Sequence, residues 1–268
     1  MHQYVQSEVH LNKEGLGTRA LGSETFHVVV FEGTYGLTDR IAVEAEGVWL
    51  ATKWDGPEHE RHGPIDTGSY HTAVQDLRFG LRYQLASGAI AIAPFLAVTI
   101  PSHDYETRGH SAFGRNLHEL EAGVSVGWDL ARHGYVQAGI AYAWSEQVDG
   151  VDLDLDQLFG DVEVGHRAGR RVSLRGFAKW QWMWDGLQLG PLTEHIELSP
   201  VHDRFARASF VQLGGGASLD LGRRTTVSID AFATTGGRNV HAVYSFVTGI
   251  SWGFGGGFKV IPVTPPTL

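Results

Sequence analysis

The sequence predicts an all-β protein, a single antiparallel up-and-down transmembrane β-barrel of about twelve strands. Three observations predict it: apolar and polar residues alternate along many strand-length stretches, short turns alternate with longer loops, and aromatic residues gather near the ends of the apolar faces. The chain has 268 residues, of which 35 are Gly and only 2 are Met, a composition suited to strands and turns. The sequence contains no run of about 18 apolar residues, the length that would indicate a transmembrane helix.

The alternation is clearest at residues 76–85. Because successive side chains of a strand point to opposite faces, this stretch has one apolar face and one polar face. The apolar face carries Leu77, Phe79, Leu81, Tyr83 and Leu85, and the polar face carries Asp76, Arg78, Gly80, Arg82 and Gln84. A soluble sheet packed on a core and a membrane barrel around a polar lumen both produce this pattern. The remaining features of the chain have to distinguish them.

Stretches of the same kind recur along the chain and define the predicted strands. Most exceed the usual strand length of about 5–6 residues and match the roughly 9–11 residues that cross a bilayer at a tilt. The predicted strands span residues 3–11, 24–35, 40–54, 73–85, 89–100, 118–130, 135–146, 153–166, 171–184, 206–219, 225–234 and 241–254. Val48 and Leu50 fall on the same face of the third strand as Glu44 and Glu46, which predicts either a bulge or a local constriction of the lumen.

The predicted connections between strands alternate between short turns and longer loops. The short turns are residues 36–39, 86–88, 131–134, 167–170 and 220–224, and the longer connections are residues 12–23, 55–72, 101–117, 147–152, 185–205 and 235–240. Short turns at one end and long loops at the other are typical of outer-membrane barrels, in which the short turns are periplasmic. An even number of strands places both chain ends on that side.

Aromatic residues on the apolar faces gather at both ends of the predicted strands. Those near the short turns are Tyr35, Tyr83, Trp128, Trp252 and Phe254, and those near the long loops are Trp49, Trp144, Trp180, Trp182 and Trp184. Amphipathic rings prefer the interface between membrane and water, so two aromatic girdles are expected. This feature favours a membrane barrel over a soluble sheet.

The polar faces would then line a lumen and, with it, the path of a solute. The charged residues assigned to the lumen are Glu44, Glu46, Asp76, Arg78, Arg82, Glu119, Glu121, Asp161, Glu163, Arg175, Lys179 and Asp230. Buried charges are tolerated when they are paired or solvated. A hairpin centred on Gly169 would place Glu163 opposite Arg175, with Asp161 diagonally within reach of Arg175 and Lys179. Arg78 and Arg82 would share one region of the lumen, with Glu44 or Glu46 as partners.

Three stretches resemble one family of membrane channels. Residues 35–41, read as Tyr-Gly-Leu-Thr-Asp-Arg-Ile, the strand at 76–83 and the strand end at 94–102 resemble motifs of outer-membrane channels related to the meta-pathway phenol-degradation transporters. The resemblance implies a twelve-stranded monomeric barrel without a cofactor that passes small, often hydrophobic or aromatic molecules across the bacterial outer membrane. We therefore expect a barrel over residues 1–258 and a Pro-rich tail over residues 259–268. The partners expected are the lipid bilayer and a small-molecule solute.

The net charge of −9 argues against a nucleic-acid partner. Two other functions remain open: a hydrolase at the rim of an outer-membrane barrel, acting on lipid or peptide, and a soluble β-sheet protein that binds a ligand. The hydrolase would use His103 or His202, each followed by Asp, although no Gly-x-Ser-x-Gly nucleophile motif is present. The protein is therefore expected not to be an enzyme.

The sequence contains 14 histidines, so metal binding has to be considered. His59 and His62 are three residues apart, unlike the His-Glu-x-x-His motif of zinc proteases. The other histidines in long loops are His71, His103, His110, His195 and His202. Solvated loop histidines explain this pattern better than a metal site, so no metal is predicted.

Overall fold

The computed structural model describes residues 1–56, 63–130, 133–189 and 201–254. Twelve strands form one closed antiparallel barrel, in which each strand pairs with its neighbours in sequence and β1 closes against β12. The strands are β1 (His2–Leu11), β2 (Gly17–Gly36), β3 (Ile41–Asp55), β4 (His71–Tyr83), β5 (Ile90–Pro101), β6 (Glu119–Leu130), β7 (Gly134–Ser145), β8 (Gln157–Ala168), β9 (Val172–Met183), β10 (Ser209–Asp220), β11 (Thr225–Arg238) and β12 (Val240–Trp252). A single helical turn, α1 (His202–Phe205), precedes β10. The predicted fold class and strand number are confirmed.

No helix among these residues is long and apolar enough to cross a membrane. The predicted tail at residues 259–268, the first half of the predicted turn at 131–134, and His59, His62 and His195 lie outside the described residues. The division into a barrel and a tail therefore stays a prediction.

Two of the predicted loops are partly strand. β2 begins at Gly17 and pairs its first residues with the end of β1, where a loop over residues 12–23 was expected. In the predicted loop over residues 235–240, β11 runs on to Arg238 and pairs there with β10. β12 begins at Val240 and pairs there with β1, so only Asn239, whose φ is +52°, separates the two strands. Pairing with a neighbouring strand satisfies the backbone hydrogen-bonding groups of polar stretches as well as apolar ones. Polarity alone therefore did not mark the ends of these strands.

The outer face of the barrel is a continuous apolar band. Phe79 is 46% exposed and Phe246 is 59% exposed. The same band includes Leu81, Leu96, Val98, Leu120, Val126, Ile140, Val164, Leu174, Leu213 and Ile229, which are all exposed. An apolar surface of this extent marks a membrane-facing surface rather than a water-facing one. The alternation of β4 therefore places Leu77, Phe79 and Leu81 toward lipid and Arg78 and Arg82 toward the interior.

Exposed aromatic residues border this band at both ends. Tyr35, Tyr83, Trp128, Trp252 and Phe254 are exposed at the short-turn end, and Trp49, Trp144, Trp182 and Trp184 are exposed at the loop end. Rings in these positions suit the two interfaces of a bilayer. The aromatic girdles predicted from the sequence are present in the structure.

Apolar residues fill the loop end of the interior on one side. The loop between β5 and β6 folds inward and packs Tyr105 and Phe113 on a buried cluster from the inner wall. The wall residues of that cluster are Val28, Val30, Val48, Leu50 and Ala73. The pairing of β2 with β3 runs without a register shift through Val48 and Leu50, whereas the pairing of β3 with β4 shifts between Gly47 and Trp49. Both predicted explanations are therefore observed: an irregularity in the β3–β4 pairing, and an apolar constriction formed by the buried Val48 and Leu50.

A second apolar cluster covers the opposite side of the loop end. Leu117, Leu155 and Phe205, which lie between the strands, pack on Met183 at the end of β9. The two clusters place loop residues over the barrel mouth from both sides. The charged inner wall described below lies beneath them.

Candidate functional site

An arginine–glutamate network lies on the inner wall formed by β3, β4 and β6. Arg82 Nε lies 2.6 Å from Glu44 Oε1, and Arg78 Nε lies 2.9 Å from Glu121 Oε2. Arg78 also approaches Glu44, at 4.0 Å, so the two pairs form one network. Glu121 is 5% exposed, and a charge at that depth is tolerated because it is paired. Of the two partners predicted for the arginines of β4, Glu44 or Glu46, Glu44 is the one that forms ion pairs with them, and Glu121 is a partner the sequence did not suggest.

Small residues and one aromatic ring shape this network. Phe95 of β5 lies beneath both guanidinium groups, with its ring centroid 5.6 Å from Arg78 Cζ and 5.0 Å from Arg82 Cζ. Gly123 of β6 makes room for this ring, because a Cβ there would lie 2.6 Å from it. A cation above an aromatic face is an attractive arrangement. Gly123 and Phe95 therefore help to position the two arginines, in addition to their carboxylate partners.

A second charged network lies on β8, β9 and β11. Arg175 donates from Nε and Nη2 to the two oxygens of Asp230, at 2.8 and 2.5 Å. Glu163 lies on the other side, 3.7 Å from Arg175, and accepts a hydrogen bond from the Tyr135 hydroxyl at 2.7 Å. Between β9 and β11 runs β10, which carries Gly216, and a Cβ there would lie 1.9 Å from Asp230 Oδ1. Glycine at this position leaves space for the carboxylate of Asp230.

The register of β8 with β9 differs from the prediction by two residues. The sequence placed Glu163 directly opposite Arg175, but Gly165 is opposite Arg175, and Lys179 is opposite Asp161. The last paired positions of the hairpin are Ala168 and Val172, so its turn has three residues and is centred on Arg170. Gly169, the first of the three, has a positive φ of +87°. Glu163 reaches Arg175 as a diagonal neighbour instead. The length of the turn sets this register, and the alternation of apolar and polar residues carries no information about turn length.

Lys179 extends the second network toward the middle of the barrel. Its Nζ lies 5.7 Å from the ring centroid of Phe177 and 5.6 Å from that of Phe232. The two rings meet edge to face, with centroids 6.2 Å apart. Lys179 is buried, so the rings and the opposing Asp161 provide its surroundings. This side of the interior therefore combines fixed charges with aromatic faces.

Two of the predicted lumen residues lie where the β5–β6 loop meets the wall. Asp76 accepts a hydrogen bond from the Tyr105 hydroxyl at 2.8 Å, and that hydroxyl accepts one from the backbone N–H of Asn116 at 2.9 Å. Burial and the neighbouring Asp76 carboxylate raise the pKa of Tyr105, so the hydroxyl keeps its proton and remains a donor. Glu119 pairs with Arg115 of the same loop. These two carboxylates hold the loop in its inward position.

The last predicted residue, Glu46, has a neighbour that the sequence analysis missed. It lies opposite Glu32 in the pairing of β2 with β3, so two carboxylates face each other on the inner wall. Glu32 could have been found, because it shares the parity of the inward Val28 and Val30. Ser125, which accepts a hydrogen bond from Arg82 at 2.8 Å, was also missed. The structure thus places all twelve predicted residues on the inner face and joins most of them into two networks.

The loop histidines fall into two groups. His103 is exposed, whereas His71 is half-buried and is the first residue of β4 rather than a loop residue; the two rings bond to the hydroxyls of Ser102 and Thr67, both at 2.8 Å. His110 instead folds inward, where its Nδ1 lies 3.5 Å from the buried carboxylate of Glu24. The expectation of a solvated loop histidine is therefore wrong for His110.

The rim residues give little support to a hydrolase. The hydroxyl of Ser102 lies 2.6 Å from the carbonyl of Val74 as well as 2.8 Å from the ring of His103. A hydroxyl has one hydrogen, and the nearer carbonyl competes for it, so His103 is poorly placed to activate Ser102 as a nucleophile. The side chains of His202 and Asp203 lie outside the described part of the structure.

Comparison with known proteins identifies the fold. No protein-family model matches the sequence, and the curated proteins include no match either. Among solved structures, the COG4313 outer membrane channel from Pseudomonas putida F1 superposes with a TM-score of 0.65 at 13% identity, over 93% of each chain. The NanC porin superposes with a TM-score of 0.50 at 10% identity, over 95% of this chain and 100% of the porin. The chain is thus a closed twelve-stranded β-barrel with the fold of outer-membrane channels.

Proposed function

We propose that the protein is a channel of the bacterial outer membrane through which small molecules diffuse passively. The observation that carries the proposal is the combination of a closed barrel, an apolar exterior and an interior wall of fixed charges. A soluble ligand-binding sheet would bury its apolar face, whereas this barrel exposes it. A barrel of these features needs a bilayer around it and leaves the polar interior for a solute.

The interior favours small solutes with an aromatic or apolar part. Barrels of about eight strands fill with side chains and those of about 16–18 strands leave open channels, so twelve strands suit a narrow path. Phe95, Phe177 and Phe232 lie on the inner wall beside cations, and the apolar cluster around Tyr105 lines the loop end. A planar aromatic solute could stack on these faces while a polar substituent meets the charges. The inward loop narrows the loop end of this path.

Solute flux across a bilayer tests the channel. The purified barrel is reconstituted in planar bilayers and in liposomes, and conductance and the uptake of small aromatic and aliphatic solutes are recorded. We expect discrete conductance steps and faster uptake than in protein-free liposomes, with aromatic solutes ahead of aliphatic ones of equal size. Correctly folded barrels that give neither conductance nor uptake would refute the proposal.

Ion selectivity reports whether the inner networks line the path. The change Arg82→Gln leaves Glu44 without its partner at 2.6 Å, so we expect the reversal potential in a KCl gradient to shift toward cation preference. The matched control is Arg19→Gln, which removes an arginine that pairs with Glu8 at 3.4 Å and is 82% exposed. A conducting Arg82→Gln channel whose reversal potential matches that of the control would show that this network lies off the path.

A further inference from the structure

Three potential metal ligands converge on the inner face at the loop end of the barrel. Glu24 comes from β2 and His241 from β12, the two strands that flank β1, and His110 comes from the loop between β5 and β6. One ligand atom from each residue lies within 4.8 Å of the other two. Residues far apart in the sequence are thus brought together by closure of the barrel and by the inward fold of the loop.

The distances suit a small divalent metal ion. His110 Nδ1 lies 3.5 Å from Glu24 Oε1, and His241 Nδ1 lies 3.4 Å from Glu24 Oε2. Nitrogen and oxygen ligands at about 2.0–2.2 Å in a tetrahedral arrangement are separated by roughly 3.4 Å. The two histidine–carboxylate separations are therefore already those of neighbouring ligands around one ion.

Burial gives the carboxylate a reason to bind a cation. Glu24 is 3% exposed, and its Oε1 accepts no hydrogen bond from the described residues. A buried carboxylate without compensation is costly, and coordination of a metal ion is one of the ways in which proteins provide it. The ring nitrogens nearest to the Glu24 carboxylate belong to His110 and His241, and imidazole nitrogens are themselves good ligands for such an ion.

Neighbouring groups hold both histidines in place. The backbone N–H of His110 donates to Asp66 Oδ2 at 2.9 Å, and the His110 ring stacks on Trp54 with centroids 4.2 Å apart. The ring of His241 stacks on His10, with centroids 4.6 Å apart and planes within 6°. Groups outside the ligand set that fix the orientation of the ligands are typical of metal sites.

We propose that Glu24, His110 and His241 bind one divalent transition-metal ion of the zinc class, which fastens the inward loop to the barrel wall. Imidazole with carboxylate suits zinc and its neighbours, whereas calcium and magnesium prefer oxygen ligands. Among the described residues, two histidines and one glutamate supply three of the four ligands of a tetrahedral ion. Since the ion would join the loop to strands on both sides of β1, its binding would hold the loop against the wall.

Direct metal analysis tests the site, independently of any channel activity. A tag-free barrel in detergent is stripped with a chelator, dialysed against ZnCl₂ and analysed by mass spectrometry and calorimetric titration. We expect one zinc per chain, and a loss of affinity of at least about tenfold in Glu24→Gln and in His241→Gln. The matched control is His118→Gln, because His118 pairs with Glu146 at 2.8 Å on the exposed surface and should leave zinc binding unchanged.

Folding is checked by the gel shift between boiled and unboiled samples. If a strand variant fails this check, His110→Gln replaces it, because His110 lies in a loop. Absence of stoichiometric zinc on the folded wild-type barrel, or an equal loss in His118→Gln and the ligand variants, would overturn the site.

Hydrogen exchange tests the fastening of the loop. Zinc should slow exchange in residues 104–116 of the wild-type protein and leave it unchanged in His110→Gln. Zinc binding that leaves exchange in this segment unchanged would overturn the role given to the ion.

Discussion

The pairing of Arg78 with Glu121 allows a sharp test of how the interior is stabilised. In Arg78→Gln, Glu121 remains 5% exposed and loses both guanidinium hydrogen bonds, at 2.9 and 3.0 Å. A buried charge left without its partner costs about 3–5 kcal/mol. We therefore expect a loss of unfolding free energy of that size. Glu121→Gln should cost less, because Arg78 retains Glu44 at 4.0 Å.

The double variant separates this explanation from simple loss of contacts. Arg78→Gln with Glu121→Gln removes the uncompensated carboxylate, so it should be more stable than Arg78→Gln alone. The measurement is urea unfolding in detergent, followed by tryptophan fluorescence. Arg167→Gln, which breaks an exposed ion pair at 3.5 Å, serves as control and should cost at most about 1 kcal/mol. Strictly additive effects of the two single changes, or an Arg78→Gln loss no larger than that of the control, would refute the reasoning.

Two further predictions concern the second network and a loop. Gly216→Ala places a Cβ 1.9 Å from Asp230 Oδ1 and should lower the free energy of unfolding in urea by about 1–3 kcal/mol. The control Gly176→Ala, whose Cβ would meet no atom nearer than 3.9 Å, should lower it less. Equal losses of unfolding free energy in the two variants would contradict the packing argument. The backbone N–H groups of Asp154 and Gly186 donate to the Asp185 carboxylate at 3.0 and 2.8 Å and lower its pKa. The stabilisation of the loop by Asp185 is therefore present above the unfolded pKa of about 3.9 and is lost as the pH falls through the lower folded value. An NMR titration of Asp185 that gives an ordinary or raised pKa would contradict this assignment.

Some of the charged interior could be predicted because side-chain direction in a strand is local. Arg78 and Arg82 share a parity with Gly80, and the exposed Phe79 and Leu81 occupy the other. That relation needs no knowledge of the neighbouring strands. The same argument would have added Glu32 to the predicted lumen residues, had the alternation of β2 been followed to its end.

The partners of these charges could not be predicted in the same way. Arg78 meets Glu121 and Arg175 meets Asp230 across an intervening strand, so the contacts depend on the register of three strands and on small residues such as Gly216. Register in turn depends on turn length, and the three-residue turn after β8 shifted the predicted pairing by two positions. A shift of two keeps every side chain on its face, and for this reason the faces were right while the opposing residues were wrong.

The sequence alone thus determined the architecture: strand number, lipid face, polar face and aromatic borders all follow from a period of two and from the positions of turns. Tertiary structure decided what lies inside. The inward loop places Tyr105 on Asp76 and His110 on Glu24, and barrel closure brings His241 to the same carboxylate. These contacts join residues that are far apart in the sequence. A loop has no periodic pattern of apolar and polar residues from which its direction could be predicted.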